Sequence, residues 1–305
     1  MGDDRQTQQV SAAVSAAGST GTLELGGGLR PGDLAAKRRW APSWWHLVLI
    51  PLAVVMLFPF FWLVVTSFQT LAQSRTFGLH FAFQWHNYVD AWTQAPFGRW
   101  LFNTTLVSVT VVISNLVFCS LAGYALARMR FFGNGALFLV ILATLMVPFQ
   151  VVIIPTFLIV RKLGLIDSVG GLIVPNLCGV FGIFLLRQFF LSLPVQLEEA
   201  ARIDGASRLG ILFKIVLPLS APVLATLAII QFMWSWNDFL WPLIIITTPQ
   251  HAPLQLGLSM FQGSHVTQWN LLMAGTVMSQ IPMLAVFLFA QRWFIQSIAY
   301  TGIKQ

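Results

Sequence analysis

Residues 197–218 read LEEAARIDGASRLGILFKIVLP, the longest polar interruption in the second half of an otherwise very apolar chain. Leu197, Ala200, Ala201 and Asp204 recur at helical spacing. Asp204-Gly205 predicts a turn in which glycine takes a positive φ and ends a first short helix. Ser207 then serves as the N-cap of a second helix, with apolar Leu209, Leu212, Phe213 and Val216 at three- and four-residue steps, until Pro218 opens a new apolar run. The pattern is two short helices joined by a bend, small at Ala200 and Ala201 and decorated by Glu198, Glu199, Arg202, Arg208 and Lys214. Small residues allow close approach, and the charges favour a protein partner over lipid. The plain alternative is an amphipathic hairpin lying on the inner membrane surface.

What surrounds this handle is membrane. Of the 305 residues, 57% are hydrophobic and only 9% charged, and the mean hydropathy is +0.76, whereas soluble domains carry about 25% charged residues. Residues 47–65 contain no charge and approach the roughly 20 residues that cross a ~30 Å hydrocarbon core. Trp40, Trp44 and Trp45 precede them as an interfacial belt. Further spans are expected at about 101–126, 136–160, 172–186, 219–236 (continuing through Asp238 to about 246) and 271–290, which makes an all-α integral membrane protein of six transmembrane helices. Residues 1–40, rich in Ala, Gly, Ser, Thr and Gln, are expected to form a disordered cytoplasmic tail, and 41–305 the membrane domain. The first apolar run follows Lys37-Arg38-Arg39 and is long enough to span, so it reads as an uncleaved helix. With both termini inside, thirteen Lys and Arg fall on the inner side and four, Arg75, Arg99, Arg161 and Lys162, on the outer. The positive-inside bias therefore gives N-in, C-in and places the handle in the cytoplasm. The net charge of +7 lies in short loops beside apolar runs, with no stripe that would point to nucleic acid.

Glu199-Ala200-Ala201, three residues, Gly205, nine residues, then Ile215-x-Leu217-Pro218 resembles the EAA loop of ABC importer permeases, with every spaced position filled. In that family the loop sits in a cleft of the ATPase subunit. The resemblance implies ATPase-coupling roles for Glu198, Glu199, Ala200, Ala201, Asp204, Gly205, Ile215, Leu217 and Pro218. From Trp85 to Lys304 the wording is similar to the carbohydrate-type, maltose-transporter-like permeases, specifically the smaller membrane subunit. Trp85-His86-Asn87-Tyr88 with Asn103-Thr104, Gly123-Tyr124-Ala125-Leu126-Ala127-Arg128, Leu163-Gly164-Leu165, Arg187-Gln188-Phe189-Phe190 and Trp236-Asn237-Asp238-Phe239 carry it. It implies a type I importer permease (MetI-like) fold with a core at 98–292, multi-pass in the bacterial plasma (inner) membrane. It also implies a second homologous permease, two ABC ATPase subunits and an extracytoplasmic solute-binding protein as partners, besides the lipid bilayer. Gly302 and Lys304 match the Gly-rich tail of such subunits, while Gln296 and Ser297 depart from it, so a frayed terminus is expected.

The chemistry that can be sought directly agrees with a transport subunit. A Walker loop needs Gly-Lys-Ser/Thr, and Lys37, Lys162, Lys214 and Lys304 follow Ala, Arg, Phe and Ile. Neither a catalytic residue, a cofactor site nor a metal site is expected. His46, His80, His86, His251 and His265 lack ligand spacing and read as solvated or interfacial, and Cys119 and Cys178 read as small buried hydrophobes. Gln231, Ser235, Asn237 and Asp238 are the candidate solute pathway. Trp234, Trp236 and Trp241 could stack on sugar faces, with the outer aromatic belt preferred for Trp241. Asp238 is the one acid well inside an expected span. It reads as a pathway residue or an interfacial polar cap, and less readily as a proton relay. The external loop from about Ser67 to Trp100, rich in aromatics (Phe77, Phe81, Phe83, Trp85, Tyr88, Trp92), reads as a short amphipathic segment resting on the outer membrane interface. Pro148, Pro155, Pro175, Pro222, Pro242 and Pro282 fall in spans, where neighbouring groups must satisfy what each proline frees. A peptide or amino-acid importer would share the handle. An ion-coupled carrier is the alternative of another class, disfavoured by the lack of mid-membrane charge.

Overall fold

The structure is a computed structural model that describes residues 44–302 except 77, 81 and 264–266, with side chains described up to Phe289. The expected tail at 1–40 and the terminal Lys304 lie outside the described residues. The chain divides into two units, Met1–Met56 and Leu57–Gln305, and the packing below is that of the second. The described residues are helical, with one isolated bridge between Gln262 and Thr267.

The helices are α1 His46–Ser67, α2 His86–Thr93, α3 Phe97–Arg128, α4 Asn134–Thr144, α5 Phe149–Lys162, α6 Val169–Ile173 and α7 Val180–Ser192. They continue with α8 Val195–Ile203, α9 Arg208–Ile211, α10 Leu217–Leu219, α11 Ala221–Trp236, α12 Leu240–Ile245, α13 Leu254–Ser259 and α14 Trp269–Gly302. Among the described residues, four apolar stretches are long enough to cross a membrane, at His46–Ser67, Phe97–Arg128, Val169–Ser192 and Trp269–Phe289, and two bent pairs bring the number to six if each pair is one span.

One bent pair interrupts the span expected at 136–160, and the other falls where the handle meets the fifth span. The stretch at 136–160 is not one helix: α4 and α5 meet at 101°. Pro148 is the extended N-cap of α5, and a helix arriving from α4 cannot run through it because it lacks an N–H and disfavours helix in the residue before it. The second handle helix, Arg208–Leu219, contains one π turn at Leu212–Val216 and is bent by 80° from α11 at Ser220. The fifth span also stops at Trp236 instead of running on to 246. Asn237–Phe239 break it, and α12 follows as a separate short helix. Pro175 is accommodated in a 3-10 turn, Val174–Asn176. Asn115 of α3 satisfies the backbone there, donating to Asn176 O at 2.7 Å and accepting from Gly179 N at 2.8 Å.

α3 is the axis of the fold, packed along α7 and α11. Residues along its length belong to two buried clusters. Trp100, Val107 and Val111 belong to the first, with Trp241, Ile245 and Leu254. Cys119, Tyr124 and Leu126 belong to the second, with Leu186, Phe190, Ile211 and Leu212. Contacts on α7 are close because Gly182 faces Cys119, where an added Cβ would lie 2.8 Å from its Sγ. By contrast Cys178 is exposed, contrary to expectation.

The aromatic loop before α3 is a packed joint. Asn87 of α2 is buried and donates to Ser67 O and Gln69 O at 2.8 Å each, while accepting from Asn270 of α14 at 2.8 Å. Ser67 and Tyr88 share a hydrogen bond of 2.7 Å. One asparagine thus ties together the end of α1, α2 and the start of α14, while Phe83, Trp85 and Trp92 of the same loop stay exposed.

Candidate functional site

The handle forms as the residue pattern predicts. Asp204 ends α8, Gly205 adopts φ +82°, and Ala206 N donates back to Ala201 O at 2.9 Å, closing the helix end around a left-handed residue. Ser207 caps α9 by accepting from Gly210 N at 3.1 Å. Ala201, Ile211, Leu212 and Val216 are buried and seat the handle on the second core cluster. Glu199, Ala200, Asp204, Gly205, Leu209 and Pro218 face outward, and Ile203 is 88% exposed. Ile215 and Leu217 are partly buried.

Glu198 differs from the surface charges with which its sequence groups it. Only 2% exposed, it turns inward. Its carboxylate lies 2.7 Å from Arg128 Nε and accepts from the Tyr124 hydroxyl at 3.1 Å, both on α3, with Arg202 at 3.9 Å. Arg128 also donates to Leu193 O at 2.7 Å. Tyr124 and Arg128 are four residues apart and so share a helix face. That spacing was the available signal in the sequence, yet nothing in it says which handle acid the pair receives.

The four pathway candidates come together. Gln231, Ser235, Asn237 and Asp238 line one cavity of about 1000 Å³, opposite Thr104, Val107 and Val111 of α3 and beside Phe149, Thr156 and Asn176. The broken backbone around Pro148, Pro175 and Asn237 gathers at this cavity, the setting in which a membrane protein tolerates irregular chain. Asp238 sits at the helix break, its Oδ1 3.5 Å from Trp241 N at the start of α12. The placement departs from a site inside a continuous span. Trp234 lines the cavity and is more than half exposed. Trp241 is no belt residue: it is 2% exposed, walls the cavity, and donates from Nε1 to Gly171 O at 3.0 Å. Trp236 is buried away from it, stacked on Phe232 and bonded to Ser279 O.

A second cluster went unread in the sequence. Asp167, with φ +55°, accepts from Thr247 N and Thr248 N at 2.9 Å each and from the Thr248 hydroxyl at 2.5 Å, and it faces His251 Nδ1 at 3.4 Å. His251 therefore has a carboxylate partner, which sequence distance had hidden. Burial alone would raise the Asp167 carboxyl, but these donors outweigh it and hold the group well below the usual carboxylate range. The cluster latches the loop after α5 to the loop after α12.

Residues 119–300 match the family described as binding-protein-dependent transport system inner membrane component. The chain belongs to that family. It is an all-helical, multi-pass inner-membrane transport permease of the MetI-like fold. It is 35% identical to the arabinooligosaccharides transport system permease protein AraQ of Halalkalibacterium halodurans, over 83% of this chain and 93% of the relative. It is likewise 35% identical to the sn-glycerol-3-phosphate transport system permease protein UgpE of Yersinia enterocolitica, over 86% of this chain and 97% of that one. Among solved structures, a chain of a bacterial ABC transporter involved in alginate import superposes with a TM-score of 0.72 at 28% identity, covering 82% of this chain and 94% of that chain.

Proposed function

We propose that this permease is the smaller membrane subunit of an ATP-driven, binding-protein-dependent importer of carbohydrate, working by alternating access. The observation that carries the reading is the handle. A two-helix element seated on α3 and α7 presents Glu199, Ile203 and Leu209 outward, while the helices beneath it line a cavity that carries several polar side chains. Closure of a pair of ATPase subunits would push this surface and tilt the helices around the cavity, a rigid-body rocking of the kind transporters use. A second homologous permease would close the open side of the cavity, and an external solute-binding protein would deliver the solute. Gln231, Ser235, Asn237 and Asp238 offer hydrogen-bonding groups of the kind a polyhydroxylated solute engages, and Trp234 offers an aromatic face. The relatives named for arabinooligosaccharides and sn-glycerol-3-phosphate and the alginate structure support carbohydrate over peptide.

The test is mild solubilisation, purification through a tag, and identification of co-purifying chains, followed by reconstituted uptake. A Walker-motif ATPase should be recovered with the wild type and lost with Glu199→Arg. A chain that runs alone and moves solute in ATP-free vesicles would return the ion-coupled carrier.

A further inference from the structure

The buried charges under the handle belong to neither its outward face nor the cavity, and they span a hinge. α7 and α8 are joined only by Leu193 and Pro194, a connection at which backbone hydrogen bonding alone would leave α8 free to swing. Arg128 grips the hinge and the helix beyond it. One guanidinium nitrogen donates to Leu193 O within the hinge at 2.7 Å, and Nε meets the Glu198 carboxylate beyond it at 2.7 Å. The other carboxylate oxygen takes the Tyr124 hydroxyl. Side-chain exposure is 9% for Arg128 and 3% for Glu198, so water cannot replace either partner. A buried pair of this kind adds little net stability over apolar packing, but breaking it leaves an uncompensated charge. It joins α8 to the end of α3 through a buried charge pair. The same α3, farther along, supplies Thr104, Val107 and Val111 to the cavity wall.

We propose that Arg128 and Glu198, aided by Tyr124, are positioning residues that lock α8 to α3 and α7 as one rigid body, so that a push on the handle reaches the cavity wall instead of being absorbed at Leu193–Pro194. The inference rests on the importer reading above. Glu199 faces outward toward the ATPase, and the neighbouring Glu198 faces inward and carries the motion.

The test uses the assembled importer with Glu198→Gln, Arg128→Gln, the double variant, and Tyr124→Phe, which removes one hydroxyl and keeps the ion pair. The readouts are solute taken up per ATP hydrolysed and, on the full chain, hydrogen exchange of the α8 amides. Each Gln variant should lower uptake per ATP about tenfold and speed α8 exchange, and the double variant should do no worse than the poorer single one, because the two groups act through each other. Tyr124→Phe should give a smaller loss in the same direction. Multiplying effects in the double variant, or an unchanged ratio with only less complex recovered, would overturn the proposal, the latter by showing a structural role alone. Should the Gln variants fail to assemble, an unchanged ratio and unchanged exchange in Tyr124→Phe overturn it. A wild-type complex that takes up no carbohydrate refutes the importer reading, and the exchange data then decide the clamp by themselves.

Discussion

Gly205 is the point at which backbone conformation alone can be set against contact with a partner. It holds φ +82°, and a Cβ built there meets nothing within 4 Å. A substitution therefore encounters no steric obstacle in this chain, and the whole penalty is that of placing an L-residue in the left-handed region. That penalty is about 1 kcal/mol for alanine, less for asparagine, which tolerates the region, and about 2–3 kcal/mol for β-branched valine. Two kilocalories correspond to roughly a thirtyfold shift against the closed turn. The bonds at stake are Gly205 N to Arg202 O at 3.0 Å and Ala206 N to Ala201 O at 2.9 Å, both local to the handle. Of the residues joined by these bonds only Ala201 belongs to a core cluster, and Gly205 itself is exposed, so membrane insertion and thermal stability should hold. Measured as solute uptake per ATP hydrolysed, the order should be Gly205, then Gly205→Asn, then Gly205→Ala, with Gly205→Val uncoupled. If Asn and Val are equally damaging, the position is closed by a side chain clashing with a partner, and the conformational reasoning is refuted.

Two further outcomes test other parts of the fold. Gly257→Ala would place a Cβ 2.1 Å from the ring of Trp100, which is 1% exposed and bonded to Pro249 O. Displacing that ring should cost about 2–4 kcal/mol and lower the unfolding temperature, whereas Gly135→Ala, inside a helix with open space around it, should leave the temperature unchanged or raise it slightly. For the Asp167 latch the folded carboxyl titrates below its unfolded value near 3.8. Its contribution is therefore fully present above about pH 4 and lost as pH falls toward the folded value. Asp167→Asn should be less stable than wild type at neutral pH, and the gap should close on acidification. A gap that stays constant down to pH 2 would show that the carboxylate charge is not what holds the two loops.

Local rules decide the parts of this chain that were legible in its residues. Apolar run length and the lack of charge give the membrane class, because a ~30 Å hydrocarbon layer admits little else. The handle is equally local: a glycine that takes φ > 0, a serine that caps, and apolar steps of three and four are satisfied within a few residues. Gln231, Ser235, Asn237 and Asp238 line one cavity together, and one short stretch of sequence holds all four polar groups. What the residues could not give is direction. Glu198 and Glu199 are indistinguishable in sequence, and only the placement of Tyr124 and Arg128 on α3, some seventy residues earlier in the chain, turns one inward and leaves the other outside. Pro148 is as common a feature of spans as Pro155, yet the first breaks its helix and the second remains inside one. Asp167 finds Thr247, Thr248 and His251 across some eighty residues of chain. Hydropathy and capping are read along the chain, whereas burial of a charge, the wall of a cavity and the bend of a span depend on which helix lies opposite, and that is decided by tertiary packing.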